Sequence, residues 1–149
     1  MMVFQFENPD DSPGFLLWQV SNLWQRKMNS GLKKLGLTHV QFVLLAGIIW
    51  LSQGQQTVTQ AKLAAHVKAD IMMTSKVLRA LEQRGLIKRE TDLKDTRAKS
   101  LTITKEGYDL AVAAIHVVDK VDKDFFGILN DQVTDLNSHL LKIINANNS

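Results

Sequence analysis

The sequence predicts a mainly α (α+β) fold, and three observations carry that expectation. Apolar residues recur at helical spacing near both ends of the chain, and two short helices with their own capping residues lie in tandem in its middle. Immediately afterwards, two alternating segments flank a charged loop, "DLKDTRA". Two short helices joined by a tight turn and followed by a β-hairpin make a winged helix-turn-helix, here with a two-stranded wing.

The first helix is expected after the break Pro13-Gly14, with Leu17, Val20, Trp24, Met28, Leu32 and Leu35 on one stripe and Gly36 as its stop. In "LTHVQFVLLAGIIWLSQG", Thr38 and Gln41 stand in capping-box spacing, where each side chain can satisfy the other's backbone N–H. The helix they open is apolar on most sides, which predicts burial, and it ends near Ser52-Gln53-Gly54. "TVTQAKLAAHV" gives a short helix capped by Thr59, with Leu63, Ala64 and Val67 facing inward. After "KAD", Asp70 caps a second short helix, Ile71 to Arg84, which Gly85 ends. "LIKRE" and "KSLTI" read as strands, with the hairpin tip at Leu93 to Thr96. A long helix then starts at Thr104 and carries Leu110, Ala114, Val117, Val118, Val121 and Phe125. Asn130 or Asp131 is expected to cap a last helix bearing Val133, Leu136, Leu140 and Ile143, before a frayed polar tail, "NANNS".

Composition narrows the chemistry. The 149 residues are 45% hydrophobic and 22% charged, as in an ordinary globular domain, so the chain reads as one domain or two lobes sharing a core. The chain has no cysteine, which excludes disulfides, zinc–thiolate sites and thiol-based sensing within it. The start "MMVFQFENPDDSPG" lacks the basic and apolar regions of a signal peptide, and no apolar run is long enough for a bilayer, so a cytoplasmic protein with no membrane partner is expected. The formal charge of +3 is unevenly spread: residues 56–105 hold eleven positive and five negative side chains, a net +6, and the remainder is net −3. Such a basic middle suits a module that binds a polyanion, against the plainer alternative of an uneven surface.

The second short helix sharpens that choice. At about 100° per residue, Thr74, Val77, Leu78 and Leu81 fall on one side, and Met72, Ser75, Lys76, Arg79 and Gln83 on the other. A cationic, hydrogen-bonding face of this kind suits a helix laid in the DNA major groove. The competing reading is a solvated amphipathic helix. The preceding helix and the following wing favour double-stranded DNA as the partner.

Five segments then bring a family into view: "LTHVQFVLL" (37–45), "TQAKLAAHV" (59–67), "TSKVLRALEQRGLIKR" (74–89), "DTR" (95–97) and "ITKEG" (103–107). With them the chain resembles the MarR-type winged-helix transcriptional regulators, from about Leu16 to Ile144; "ITKEG" stands where the family usually has Leu-Thr-x-x-Gly. The resemblance implies a single domain over 1–149. Its winged-helix DNA-binding lobe would span 37–104, and an N-/C-terminal helical dimerisation lobe would be formed by 14–36 and 105–146. It implies that Arg97 enters the minor groove while Asp95 holds the guanidinium, and that Ser75, Lys76 and Arg79 make the recognition-helix contacts. Lys94 and Lys99 are candidates for flanking phosphates. Lys62 stands where relatives often carry an acidic residue, which either adds a backbone contact or has no role.

The resemblance also implies a homodimer on a pseudo-palindromic operator, usually as a repressor. The abundant apolar surface of the terminal helices (Trp18, Trp24, Val117, Val121, Phe125, Phe126, Ile143, Ile144) agrees with a dimer, the alternative being packing within one chain. Many members answer to small aromatic or anionic ligands, for which Trp18, Trp24, Met28, His39 and Trp50 are candidate pocket residues, against the reading of the same side chains as core. His66 with Asp70, or His116 with Asp119, lacks the further donors a metal site needs, so no metal and no cofactor is expected. No catalytic triad, paired carboxylates or glycine-rich phosphate loop suggests an enzyme. The rival function is a winged helix used for protein–protein contact. Such a module has no need of an Asp–Arg pair flanked by lysines.

Overall fold

The computed structural model describes residues 3–54 and 57–148, and among them it holds six α-helices and one two-stranded antiparallel sheet. In chain order these are α1 (Pro13–Leu32), α2 (His39–Ser52), α3 (Gln60–Val67), α4 (Ile71–Gln83), β1 (Ile87–Thr91), β2 (Lys99–Ile103), α5 (Lys105–Phe126) and α6 (Val133–Ala146). The predicted winged helix-turn-helix is present.

Local chemistry accounts for most boundaries. Ser12 Oγ accepts from Phe15 N, and Pro13 takes the first helical position, where its missing N–H costs nothing. The helix therefore begins on Pro13 itself, inside the expected break. At the other end, a 3-10 turn over Lys33–Leu35 leads to Gly36, whose φ of +69° is open to glycine without strain. There the path bends by 77° into α2, which the Thr38–Gln41 capping box opens as expected. No single helix among the described residues is long and apolar enough to cross a membrane.

Helix α2 is the axle of the core. Leu44, Leu45 and Ile48 are fully or almost fully buried, and they meet Met28 and Leu32 of α1, Leu63 of α3, Leu78 and Leu81 of α4, Ile87 and Leu101 of the sheet, and Ala111 and Ala114 of α5. Thr59 caps α3 and Asp70 caps α4, both as expected, through bonds to Lys62 N and Met73 N. Between them Lys68 sits in the left-handed region, and Ala69 N donates to Ala64 O, closing the turn in three residues.

The hairpin pairs Ile87 with Ile103 through Thr91 with Lys99, so β1 starts one residue later than the pattern suggested and includes Thr91. Leu101 N also donates to Val58 O, and Thr59 bridges Ser100, so the segment before α3 covers the outer edge of β2. At the foot of the wing, Thr104 N donates to Leu86 O at 3.1 Å and its hydroxyl to Gly85 O at 2.8 Å, while Gly107 N donates to that same hydroxyl at 3.0 Å.

The last helix departs from expectation. Neither Asn130 nor Asp131 caps it. A 3-10 stretch over Gly127–Gln132 runs directly into α6, with Asn130 kinked at φ 51° and Val133 N donating to Asn130 O, so the preceding turn satisfies the helix start. The tail is also more ordered than its composition implied: Asn145 and Ala146 continue α6, and Asn147 caps it through its side-chain amide to Ile143 O. None of the residues of α6 is buried, and Leu141 and Ile143 are more than half exposed.

The Leu-Thr-x-x-Gly pattern acquires a physical basis here. A Cβ built on Gly107 would overlap Leu86 O and lie 2.9 Å from its carbonyl carbon, so backbone would have to move to admit any side chain. Gly107→Ala is expected to cost about 3 kcal/mol, readable as a lower urea midpoint at unchanged m-value, whereas Gly14→Ala, whose Cβ meets nothing within 4 Å, is expected to be close to neutral.

Candidate nucleic-acid interface

Helix α4 divides cleanly into two faces. Thr74, Leu78 and Leu81 are fully buried, and the Thr74 hydroxyl donates to Asp70 O at 2.8 Å, so no polar group of the inner face is left unpaired. Opposite them Met72, Lys76, Arg79 and Gln83 are exposed or partly exposed and Ser75 is partly so, which brings the sequence-predicted Ser75, Lys76 and Arg79 onto one solvent stripe.

The wing tip is a built turn. Asp92 Oδ2 accepts from Asp95 N at 3.2 Å, Ala98 N donates to Asp95 O, and Asp92 N donates to Ala98 O. Asp95 Oδ1 in turn accepts twice from Arg97, from its backbone N at 3.1 Å and from its Nε at 3.3 Å. The Arg97 side chain is 92% exposed while the root of its guanidinium is held by Asp95. An exposed pair of this kind contributes about 1 kcal/mol or less to stability. Its effect is to orient. Lys94 and Lys99 lie exposed on either side, and no ion pair among the described residues engages them.

Lys62 is placed differently. Its ammonium donates to Thr57 O at 3.0 Å, across the mouth of its own helix. Two cations that sequence reasoning left without a site brace α4 and the hairpin from behind. Arg89, only 16% exposed, donates from Nη1 to Gln60 Oε1 at 2.6 Å and pairs through Nε with Glu82 at 3.3 Å, tying β1 to α3 and α4. Arg84 Nη1 donates to Gly36 O at 2.7 Å, linking the end of α4 to the α1–α2 bend. A basic residue directly after a helix, facing a glycine that ends another, carries no local sequence signal.

The candidate pocket residues do not converge on one place. Trp24 and His39 meet edge to face, with ring centroids 4.8 Å apart. Trp24 Nε1 donates to Asp122 Oδ1 at 2.8 Å, and His39 Nδ1 donates to Gln25 Oε1 at 3.0 Å while its backbone N donates to Asn29. A cleft lies on each side of these rings. The polar one, of about 630 Å³, is lined by Gln25, Asn29, Lys33, Thr38 and His39; the apolar one, of about 500 Å³, is lined by Leu17, Val20, Trp24, Phe126 and Leu140. Met28 is fully buried in the core; Trp50 lies at the far end of α2 beside His66; Trp18 is 66% exposed and borders neither cleft. Among the described residues no group of three or more His, Asp or Glu is placed to hold a metal.

Comparison with known proteins matches this arrangement. A family model described as MarR family matches residues 37–99, the helix-turn-helix and most of the wing. The Bacillus subtilis (strain 168) protein named uncharacterized HTH-type transcriptional regulator YdcH is 44% identical over 122 residues, covering 82% of this chain and 83% of that one. Among solved structures, a complex of Staphylococcus aureus MepR with DNA superposes with a TM-score of 0.79 at 25% identity, covering 91% of this chain and 98% of that one. CouR from Rhodococcus jostii RHA1, bound to p-coumaroyl-CoA, superposes with a TM-score of 0.78 at 27% identity, covering 93% and 95%.

Burial holds the His39 pKa below its ordinary value, an effect only partly offset by the nearby Asp122 carboxylate. The unfolded chain therefore binds this proton more readily than the folded one. The neutral imidazole costs nothing above about pH 6.5, and stability falls as pH drops from there through the lower folded pKa. His39→Gln is expected to lose less stability between pH 7.5 and 5 than the unaltered protein, measured as the shift in urea midpoint.

Proposed function

The chain belongs to the MarR family, and from that premise we propose that it is a sequence-specific, double-stranded-DNA-binding transcriptional regulator: a homodimeric repressor of a pseudo-palindromic operator, released by a small anionic or aromatic ligand. The observation that carries the reading is the wing tip, where Asp95 fixes the root of an almost fully exposed Arg97 beside the cationic stripe of α4. A guanidinium held in advance loses little freedom when it enters a narrow minor groove, whose negative potential attracts it. Lys76 and Arg79 face base edges and phosphates in the adjoining major groove, Ser75 supplies a hydroxyl, and Lys94 and Lys99 flank the wing as phosphate contacts. Lys62 adds a backbone contact after leaving Thr57 O.

The homodimer rests on the two ends of the chain, residues 14–36 and 105–146. Leu17, Val20 and Leu23 of α1 and Leu141, Ile143 and Ile144 of α6 are all more than 40% exposed, an apolar area of the kind that a second copy covers. With two copies related by a two-fold axis, the two α4 helices read half-sites about one helical turn apart. The DNA-bound MepR structure and the 44% identical regulator support the DNA-binding part of the reading.

Ligand response rests on the clefts around Trp24 and His39. An aromatic ring stacks against Trp24, and Lys33 is the cation on the polar side. CouR with p-coumaroyl-CoA is a neighbour with an aromatic acyl ligand. A ligand seated here presses on the α1–α2 bend, which Arg84 links to the end of α4. It releases DNA by binding more tightly to the arrangement in which the two recognition helices no longer fit the half-sites.

Arg97→Ala is expected to weaken operator binding at least about tenfold while leaving the sedimentation behaviour of the dimer unchanged. Fluorescence anisotropy across a salt series is expected to show log K falling linearly with log salt, at about −0.9 per phosphate neutralised. A protein that shifts no fragment of its own upstream region at low salt would refute the reading.

A further inference from the structure

The solvent stripe of α4 is not only cationic. Its first turn exposes three consecutive large apolar side chains, Ile71 at 52%, Met72 at 78% and Met73 at 38%. Thr74, the next residue, is fully buried, so the apolar patch belongs to the outer face and not to the core. Exposing three such residues in a row costs solubility and does nothing for the helix, which Asp70 already caps through Met73 N at 2.9 Å. Met72 stands three, four and seven positions before Ser75, Lys76 and Arg79, on the same stripe.

We infer that this patch is a base-reading surface, and that Met72, with Ile71 beside it, packs against thymine C5-methyl groups in the major groove. The inference rests on the DNA-binding reading above and adds its specificity. In a helix-turn-helix the N-terminal residues of the recognition helix reach base edges, while the helix before it crosses the backbone. Each base pair offers the major groove a different pattern, and the thymine methyl is its apolar element. An apolar first turn followed by Ser75, Lys76 and Arg79 therefore selects thymine under Met72 and Ile71, next to polar or guanine-bearing positions further along the helix. Charge fixes the occupant: the apolar patch is continuous with Lys76 and Arg79, whose side chains pair with no carboxylate among the described residues, so a polyanion with apolar points is the complement. The thioether of methionine is flexible and polarizable, which suits a surface that must fit a methyl in a groove.

The test begins with selection of bound duplexes from a random pool by the purified full-length protein, which yields the half-site. Each thymine of that half-site is then replaced by uracil, which keeps the hydrogen-bonding edge and removes only the methyl. At one or two positions per half-site the loss of binding is expected to be about fourfold, the worth of one buried methyl. In Met72→Ala the same uracil substitution is expected to have little further effect, whereas substitutions elsewhere keep theirs. Because Met72 is largely exposed, the variant is expected to match the unaltered protein in helicity and sedimentation. Specific selection with every uracil substitution neutral would overturn the inference and leave DNA binding standing. A uracil penalty undiminished in Met72→Ala and in Ile71→Ala would equally overturn the assignment to these residues. Failure to select any duplex would overturn both.

Discussion

One threonine hydroxyl ties α4, the hairpin and α5 to one another. Thr104 Oγ1 donates to Gly85 O and accepts from Gly107 N, so its hydrogen is used and one of its lone pairs is occupied at a point where three elements meet. Gly85 lies just past the end of α4, Leu86 precedes β1, Thr104 follows β2, and Gly107 is in the first turn of α5. The bond from Thr104 N to Leu86 O closes the same junction from the backbone side. With Gly107 pressed onto Leu86 O, α4 and the hairpin are joined to the start of α5 at that point. Interface geometry is therefore inherited from the junction.

The cations of the middle segment divide into two populations that net charge does not distinguish. Arg89 and Arg84 are committed to protein acceptors, the first to Glu82 and Gln60, the second to Gly36 O. Lys105 pairs with Asp109 four residues on. What remains turned outward, Lys76, Arg79, Lys88, Lys94, Arg97 and Lys99, lies on the outer stripe of α4 and the hairpin, while Lys62 and Lys68 are exposed but bonded to Thr57 O and Asn148 Oδ1. The +6 of residues 56–105 thus overstates the charge available to a polyanion. The structural arginines are as necessary as the exposed ones: Arg89 sits between β1 and α4, and a largely buried guanidinium with two acceptors costs little to keep and much to leave unpaired.

What could be read in the sequence was whatever is decided within a few residues. Caps at Thr38, Thr59 and Asp70, the stop at Gly36, and the alternation in "KSLTI" each depend on neighbours at most four positions away, and each stands in the structure, while the long helix begins one residue after the expected Thr104, which caps it. The Asn130/Asp131 cap failed because the incoming 3-10 turn supplied the acceptor that a side chain would otherwise provide, a choice made by the path of the chain between α5 and α6. The pairing of Trp24 with His39, and their separation from Trp50 and Trp18, depends on how α1 crosses α2 and α5, which no local pattern encodes. Arg84 and Arg89 were invisible as braces for the same reason: their acceptors are 48 and 29 residues away.

The distribution of burial finally separates two kinds of stability in one chain. The core around α2 joins α1 through α5 and the hairpin, and its fully buried side chains need nothing outside the chain. Helix α6 has no fully buried residue and packs chiefly on the 3-10 turn before it, so its exposed Leu140, Leu141, Ile143 and Ile144 contribute fully only once something covers them. If a second copy does so, ordering of the two chain ends depends on protein concentration, while that of α4 and the hairpin, joined through Thr104 to the core, does not. Affinity for a single half-site would then be a property of the monomer's core, and affinity for a palindrome a property of its ends, joined by effective concentration on the same duplex. The α1–α2 bend at Gly36, bonded to Arg84 and bordering the polar cleft, is where those two properties would touch.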